Sequence, residues 1–350
     1  MFHAIRGRKS LPIRHQNILS YKNTLYAFVF PTLLRVPHPS DTSKEILSLL
    51  SVMATNTMAN TISPALPAYG LPRNAQESVR LNGQHDVYTT NMGFLLHPTI
   101  EAALLESAAA GPVAVADVAT GTGIWMLETS IQLPDSVRFV GLDISDVQFP
   151  QPGSYPDNCS FRTLNILEPI PADLQDQFDV AHIRLLTCGL RSDQWATVAR
   201  NVLQLLKHGG WLQWTEADGT TSAAVQSVPE ASIERALKFR EAMIAAAKRA
   251  GRFNEDVSSL NHVIASAGFT EVRRCIFSSD RVPEMREKAS RLAKGAGDGA
   301  LAMLAKNDPG AIGMTAEEVR KLSKGCDEDF MDARAYLRWN IVTAIGRKPL

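Results

Sequence analysis

The stretch Val115-Ala-Asp-Val-Ala-Thr-Gly-Thr-Gly-Ile-Trp125 constrains the fold of this chain more than any other. A β-branched, apolar run carrying Asp117 breaks into a turn of small residues, Ala119-Thr-Gly121-Thr-Gly123. Helical spacing follows at Ile124, Leu127 and Ile131, so the segment reads as strand, tight turn, helix. Glycines there let the backbone pass close to a ligand, and the helix start offers free N–H groups. A nucleotide-like cofactor is the expected occupant.

Two cofactors compete for such a turn. The dinucleotide fingerprint needs glycines at its first, third and sixth positions, the last so that helix and strand can pack closely. Counted from Gly121 the sixth position is Met126, far too large. Counted from Ala119 the pattern is Ala-x-Gly-x-Gly, with Asp117 two residues before it. In this the chain resembles the class I S-adenosylmethionine-dependent methyltransferases, whose first motif reads acid-x-Gly-x-Gly-x-Gly, with Ala119 departing from the first glycine. The resemblance implies S-adenosylmethionine as cofactor and S-adenosylhomocysteine as product, and disfavours NAD.

A second acid agrees. Phe139-Val-Gly-Leu-Asp143 reads as a strand ending in a carboxylate twenty residues past Gly123. In a doubly wound sheet that carboxylate lies beside the first turn and can accept both ribose hydroxyls; a plain helix N-cap is the competing explanation. The expected blocks then continue in order. Phe161 to Pro171 reads as the third strand and its exit loop, where Asn165 stands at the position that in the superfamily usually faces the adenine. Gln177 to Arg184 reads as the fourth strand, and Trp195 to Leu206 as a helix stopping at a glycine C-cap in Lys207-His208-Gly209-Gly210. Trp211 to Ala217 reads as the fifth strand, Leu260 to Val272 as helix, glycine cap and sixth strand, and Leu337 to Gly346 as the last.

The block Arg80-Leu-Asn-Gly-Gln84-His85, with Gly93-Phe-Leu-Leu-His97-Pro98, the strand from Trp211 to Glu216 and the Gly346-Arg-Lys-Pro end, narrows the resemblance to fungal methyltransferases of secondary metabolism over residues 78 to 348. It implies a doubly wound, mostly parallel seven-stranded α/β sheet with the last strand inserted antiparallel beside the fifth. The methyltransferase domain is expected over residues 73–350, with its cofactor core at about 110–220 and a helical substrate lid from about 229–256 and 281–335. Cofactor contacts are expected from Asp117, Ala119, Gly121, Gly123, Asp143, Ile144, Asn165 and Ile166, with Arg184 pairing the cofactor carboxylate. An ordinary ion pair is the bland alternative for Arg184.

Methyl transfer asks for alignment of a nucleophile with an activated methyl, exclusion of water and, for some substrates, removal of a proton. Candidate bases are His85, His182 and Glu216, with His97 behind them; for each histidine a hydrogen-bonded structural role competes. The Trp211/Trp214 pair reads as strand packing. The reaction requires no metal, and no metal-ligand constellation is apparent in the sequence.

At 350 residues, 45% hydrophobic and 21% charged, the chain has the composition of an ordinary globular protein. Thirty-six Lys+Arg balance 36 Asp+Glu, so no basic field recruits nucleic acid or anionic membrane. Cys159, Cys188, Cys275 and Cys326 are scattered, which speaks against a zinc site or disulfide framework and for a reducing compartment. Residues 1 to 40 hold six Lys and Arg and no Asp or Glu, the bias of a mitochondrial transit peptide, and residues Leu25 to Phe30 are too short an apolar run to span a bilayer. A disordered or mis-annotated leader over 1–72, with translation starting at Met53 or Met58, is the favoured expectation, and the cytoplasm the expected compartment. The expected partner is a small molecule, and a homodimer stays open. Two further functions share the fold: a cofactor-holding protein that catalyses a cyclisation or rearrangement, and a regulatory relative acting through a partner.

Overall fold

The computed structural model of the chain describes residues 73–253, 255–307 and 313–350. The leader over 1–72 and the Asp308-Pro-Gly turn lie outside the described residues. Strands β1 (Val113–Val118), β2 (Val137–Asp143), β3 (Cys159–Thr163), β4 (Phe178–Arg184), β5 (Leu206–Gln226), β6 (Thr270–Ser278) and β7 (Ala335–Arg347) form one sheet in the order 3-2-1-4-5-7-6. The first five are parallel, and β7 runs antiparallel between β5 and β6. All six residues of β1 are buried, as a central parallel strand covered on both faces requires. The strand order reverses between β1 and β4, and ligands of such sheets bind over the carboxyl ends at that point.

Helix α1 (Ala75–Met92) starts at Asn74, whose Oδ1 accepts the Glu77 N–H at 2.9 Å, and ends at Gly93 in the left-handed region. Helices α2 (Pro98–Ala110) and α3 (Ile124–Ser130) cover one face of the sheet, packing Ile100, Leu104 and Met126 against Val115, Phe139 and Val180. The other face carries α4 (Trp195–Leu205) and, after α5 (Glu234–Arg249), α6 (Leu260–Ser266); Val198, Val202 and Ile264 pack there on Ala116, Ile183 and Trp214. A third core joins α5, α7 (Arg286–Asn307) and α8 (Ala316–Asp329) to Val87, Tyr88 and Met92 of α1, over Trp339 and Ile341 of β7. Helix α5 comes from the stretch 229–256, and α7 and α8 from 281–335.

Two boundaries differ from the sequence reading. No glycine cap follows α4: the backbone is already extended at Leu206, and residues 207–210 belong to β5. Gly210 is there for close approach, since an added Cβ would meet the carbonyl oxygens of Lys207, Asp179 and Phe178 at 2.9–3.1 Å. Strand β5 also runs on to Gln226 instead of stopping near Ala217, because the start of β7 pairs with the extension, Ala223 opposite Arg338 through Gln226 opposite Ala335.

Candidate functional site

The turn after β1 is held in an unusual backbone shape. Ala119, Gly121 and Gly123 have φ of +58°, +55° and +75°. A left-handed conformation costs a side-chain-bearing residue about 1–2 kcal/mol, so Ala119 is strained where the superfamily motif has glycine. Bonds on all sides compensate. The Thr120 N–H donates to the Leu142 carbonyl at 3.1 Å, and the Gly123 N–H to the Thr120 carbonyl at 2.9 Å. Beneath the turn the Asp117 carboxylate accepts the Thr120 hydroxyl at 2.6 Å and His182 Nδ1 at 2.7 Å.

This placement sets His182, a candidate base, inside the sheet. Its side chain is 2% exposed, and its ring stacks on the Trp125 indole with centroids 3.5 Å apart. Burial keeps its pKa below the usual histidine value despite the pull of Asp117. His182 braces Asp117 from inside the sheet. Asp117 likewise supports the turn from below.

Asp143, at the end of β2, grips the turn from the side. Its Oδ2 accepts the Gly121 N–H at 2.9 Å and its Oδ1 accepts the Ser145 N–H at 3.2 Å. Burial raises its pKa, and those two donors pull it back. Ile144 beside it remains 36% exposed, whereas Ile166 is buried. The Asn165 amide serves its own loop, accepting from the Leu167 N–H at 3.1 Å and donating to Glu168 at 3.0 Å. The Phe161 ring of β3 closes the floor: a Cβ on either Gly123 or Gly141 would come within 2.7 Å of it.

Helix α1 lies over this turn. Leu81 reaches to 3.5 Å from the position of a Gly121 Cβ, and the Thr122 hydroxyl donates to Asn82 at 2.7 Å. One turn further on, His85 bridges two elements. Arg184 Nη2 donates to His85 Nδ1 at 2.8 Å, and His85 Nε2 bonds Glu128 of α3 at 2.6 Å. Arginine can only donate, so the proton of His85 sits on Nε2 and points at Glu128. Burial first, and the Arg184 charge second, push the His85 pKa down to about 4. With both nitrogens engaged, His85 acts as a link and has no lone pair to offer a substrate. Burial also lowers the Arg184 guanidinium to about 10, and its Nη1 is buried with no hydrogen-bond partner.

Glu216 is enclosed as well. It accepts the Trp214 indole N–H at 2.7 Å and the backbone N–H groups of Leu186 and Thr187 at 2.9 and 3.1 Å. Burial raises its pKa to about 7 against those three donors. The grip fixes the loop after β4, where Leu185 is itself left-handed at φ +62°. Glu216 thus ties β5 to the loop after β4. His97 caps α2, accepting the Thr99 N–H at 3.2 Å. Trp214 stacks on Trp195 with centroids 5.3 Å apart, as packing.

The structure thus brings His85, Arg184, Asp117, His182 and Asp143 around one turn. It adds Glu128 and Thr120, which sequence reasoning passed over. Thr120 carried a weak signal, three residues after an acid at a strand end; Glu128 carried none. Among the described residues no group of three His, Cys, Asp or Glu side chains could hold a metal ion. No helix among them is long and apolar enough to cross a membrane.

A seven-stranded sheet of this order, with an acid-clamped glycine turn at its switch point, is the class I S-adenosylmethionine-dependent methyltransferase fold. Within that class the chain is similar to fungal methyltransferases of secondary metabolism. No family model matches it. It is 36% identical to the methyltransferase grgD of a Penicillium species over 180 residues, 49% of this chain and 59% of that protein. It is 26% identical to the methyltransferase pytC of Aspergillus terreus over 289 residues, 81% of this chain and 84% of that protein. The secondary metabolism regulator laeA of Fusarium oxysporum is 27% identical over 249 residues, 67% of this chain and 75% of that protein.

Proposed function

We propose that the chain transfers a methyl group from S-adenosylmethionine to an O or N atom of a small-molecule secondary metabolite, releasing S-adenosylhomocysteine. The observation that carries this reading is the turn from Ala119 to Gly123, held from below by Asp117 and from the side by Asp143. Asp143 has lone pairs left for the ribose hydroxyls, Ile144 offers an apolar face to the adenine, and Arg184 Nη1 is available to the amino-acid carboxylate. The cofactor supplies an already activated methyl. The protein binds, aligns and excludes water. His85, His182 and Glu216 are each tied into hydrogen bonds, which favours catalysis by alignment over proton removal by one of them.

Calorimetry with S-adenosylmethionine, S-adenosylhomocysteine and NAD tests the cofactor; binding of NAD alone would refute it. A labelled product from labelled cofactor and fungal extract tests transfer. Similarity to the laeA regulator supports a second reading, a methyltransferase-like regulator of secondary metabolism. Cofactor binding with no labelled small molecule, but with a labelled or captured protein, would favour it.

A further inference from the structure

The Cys275 thiol of β6 and the His97 ring at the start of α2 form a pair, with Sγ 3.6 Å from Nε2. His97 Nδ1 already accepts the Thr99 N–H at 3.2 Å. Burial first, and the Arg273 charge second, hold the His97 pKa below the usual histidine value. The ring therefore carries one proton near neutrality, and that proton sits on Nε2. His97 donates to the sulfur and cannot take a proton from it. An N–H donor favours the thiolate over the thiol. Arg273, two residues earlier on the same face of β6, adds positive charge beside the pair. Two other cysteines differ. Cys159 and Cys326 are buried, and burial pushes both thiols up, that of Cys326 to about 12. Cys275 is partly exposed.

The pair belongs to a chain of contacts that ends at the glycine turn. The His97 N–H donates to Gln213 Oε1 at 2.7 Å, and Gln213 Nε2 and the Trp125 indole N–H both donate to the Leu95 carbonyl, at 2.9 and 3.1 Å. Trp125 stacks on His182, which holds Asp117 beneath the turn. We propose that Cys275 is an oxidation site through which a peroxide acts on the cofactor turn. The thiolate attacks one peroxide oxygen; the S–O bond forms as the O–O bond breaks, and hydroxide leaves to take a proton from solvent. Sulfur is oxidised by two electrons to a sulfenic acid, and the peroxide is reduced to water. Because Nε2 already lies in hydrogen-bond contact with Sγ, an oxygen added on that side displaces the His97 ring. That pulls on the bond to Gln213 and loosens the Leu95, Trp125 and His182 contacts that support the turn. Weaker cofactor binding follows, an effect that rests on the cofactor reading above.

The test is limiting hydrogen peroxide on the full chain, with the sulfenic acid trapped by dimedone and located by peptide mass spectrometry. His97→Asn separates the donor from access: asparagine still caps α2, is too short to reach Sγ and leaves the thiol more open. Cys275 is expected to be trapped, and about threefold more slowly in His97→Asn, since a lowered thiol pKa gains thiolate but gives back part of that gain in nucleophilicity. No trapping at Cys275, or an equal or faster rate in His97→Asn, overturns the site. Coupling to the turn is read by hydrogen exchange after peroxide treatment of the wild type and of Cys275→Ser. Faster exchange at residues 95–99 and 119–123 in the wild type alone supports it. Exchange that is unchanged there, or quickened equally in both proteins, overturns it. Affinity for S-adenosylhomocysteine should fall about threefold or more in treated wild type and hold in treated Cys275→Ser; an unchanged affinity in both overturns the effect on the cofactor. Untreated wild type that does not bind S-adenosylhomocysteine overturns the cofactor reading instead, and the exchange comparison still decides the coupling.

Discussion

His85 shows how one residue's chemistry is set by its partners. An exposed histidine titrates near neutrality, but this one is enclosed between Glu128 and Arg184, and its pKa falls from 6.5 to about 4. Between those values the unfolded chain binds a proton that the folded chain refuses, so this group costs stability as pH falls from 6.5 towards 4. Glu216, raised to about 7 from 4.5, works in the opposite sense, favouring the fold at acidic pH and losing that advantage as pH rises to 7. The two contributions separate in a variant. His85→Gln keeps one donor for Glu128 and one acceptor for Arg184 but does not titrate. Its stability relative to the wild type is expected to improve by about 3 kcal/mol between pH 6.5 and pH 4, measured by urea unfolding at fixed pH steps; a constant difference would show that His85 titrates normally. At Asp143, the Ala variant frees the Gly121 N–H and removes the proposed ribose acceptor. Cofactor binding should weaken by about 1–3 kcal/mol in a titration of folded variant, and an unchanged dissociation constant would remove Asp143 from the ribose site.

At the scale of elements, the junction of β1, β2 and β3 depends on a ring meeting two glycines. A Cβ on Gly123 or Gly141 would each approach Phe161 to 2.7 Å, but only Gly123 also has a positive φ, +75°. Gly141→Ala and Gly123→Ala should both destabilise the fold, by about 1–3 kcal/mol for the overpacking alone. Adding Phe161→Leu should recover most of the loss at Gly141 and clearly less at Gly123, where about 1–2 kcal/mol of backbone strain persists. Thermal melts of the four variants decide this, and equal rescue at both positions would show that strain at Gly123 is unimportant. Much of this junction was legible in the sequence, because strand, turn and helix are local and periodic. The ring that fills it was not, since Phe161 is thirty-eight residues past Gly123 and its approach depends on how β2 and β3 pair.

Over the whole molecule, the cofactor core and the helical cover pack as distinct clusters. Gly297 of α7 marks a tight apolar contact within the cover: a Cβ there would meet Met243 Sδ at 2.6 Å and the Phe239 ring at 2.9 Å, both on α5. Gly297→Ala should therefore loosen α5, α7 and α8 by about 1–3 kcal/mol. Hydrogen exchange should quicken in those helices while β1, β2 and β4 keep their protection. Uniform acceleration through the sheet would mean that cover and core unfold as one unit.

The sequence by itself determined the order of strands and helices, the glycine turn and the acid at the end of the second strand, because periodicity and turn chemistry are carried by neighbouring residues. It also singled out His85, His182, Glu216 and Arg184 as belonging near one site. Only the tertiary structure decided which groups hold each of them. His85 meets Glu128 across 43 residues, His182 meets Asp117 across 65 and Glu216 meets the Leu186 N–H across 30. A buried imidazole or carboxylate takes its role from the groups that desolvate and pair it, and those groups arrive only when the sheet and its covering helices have closed around it.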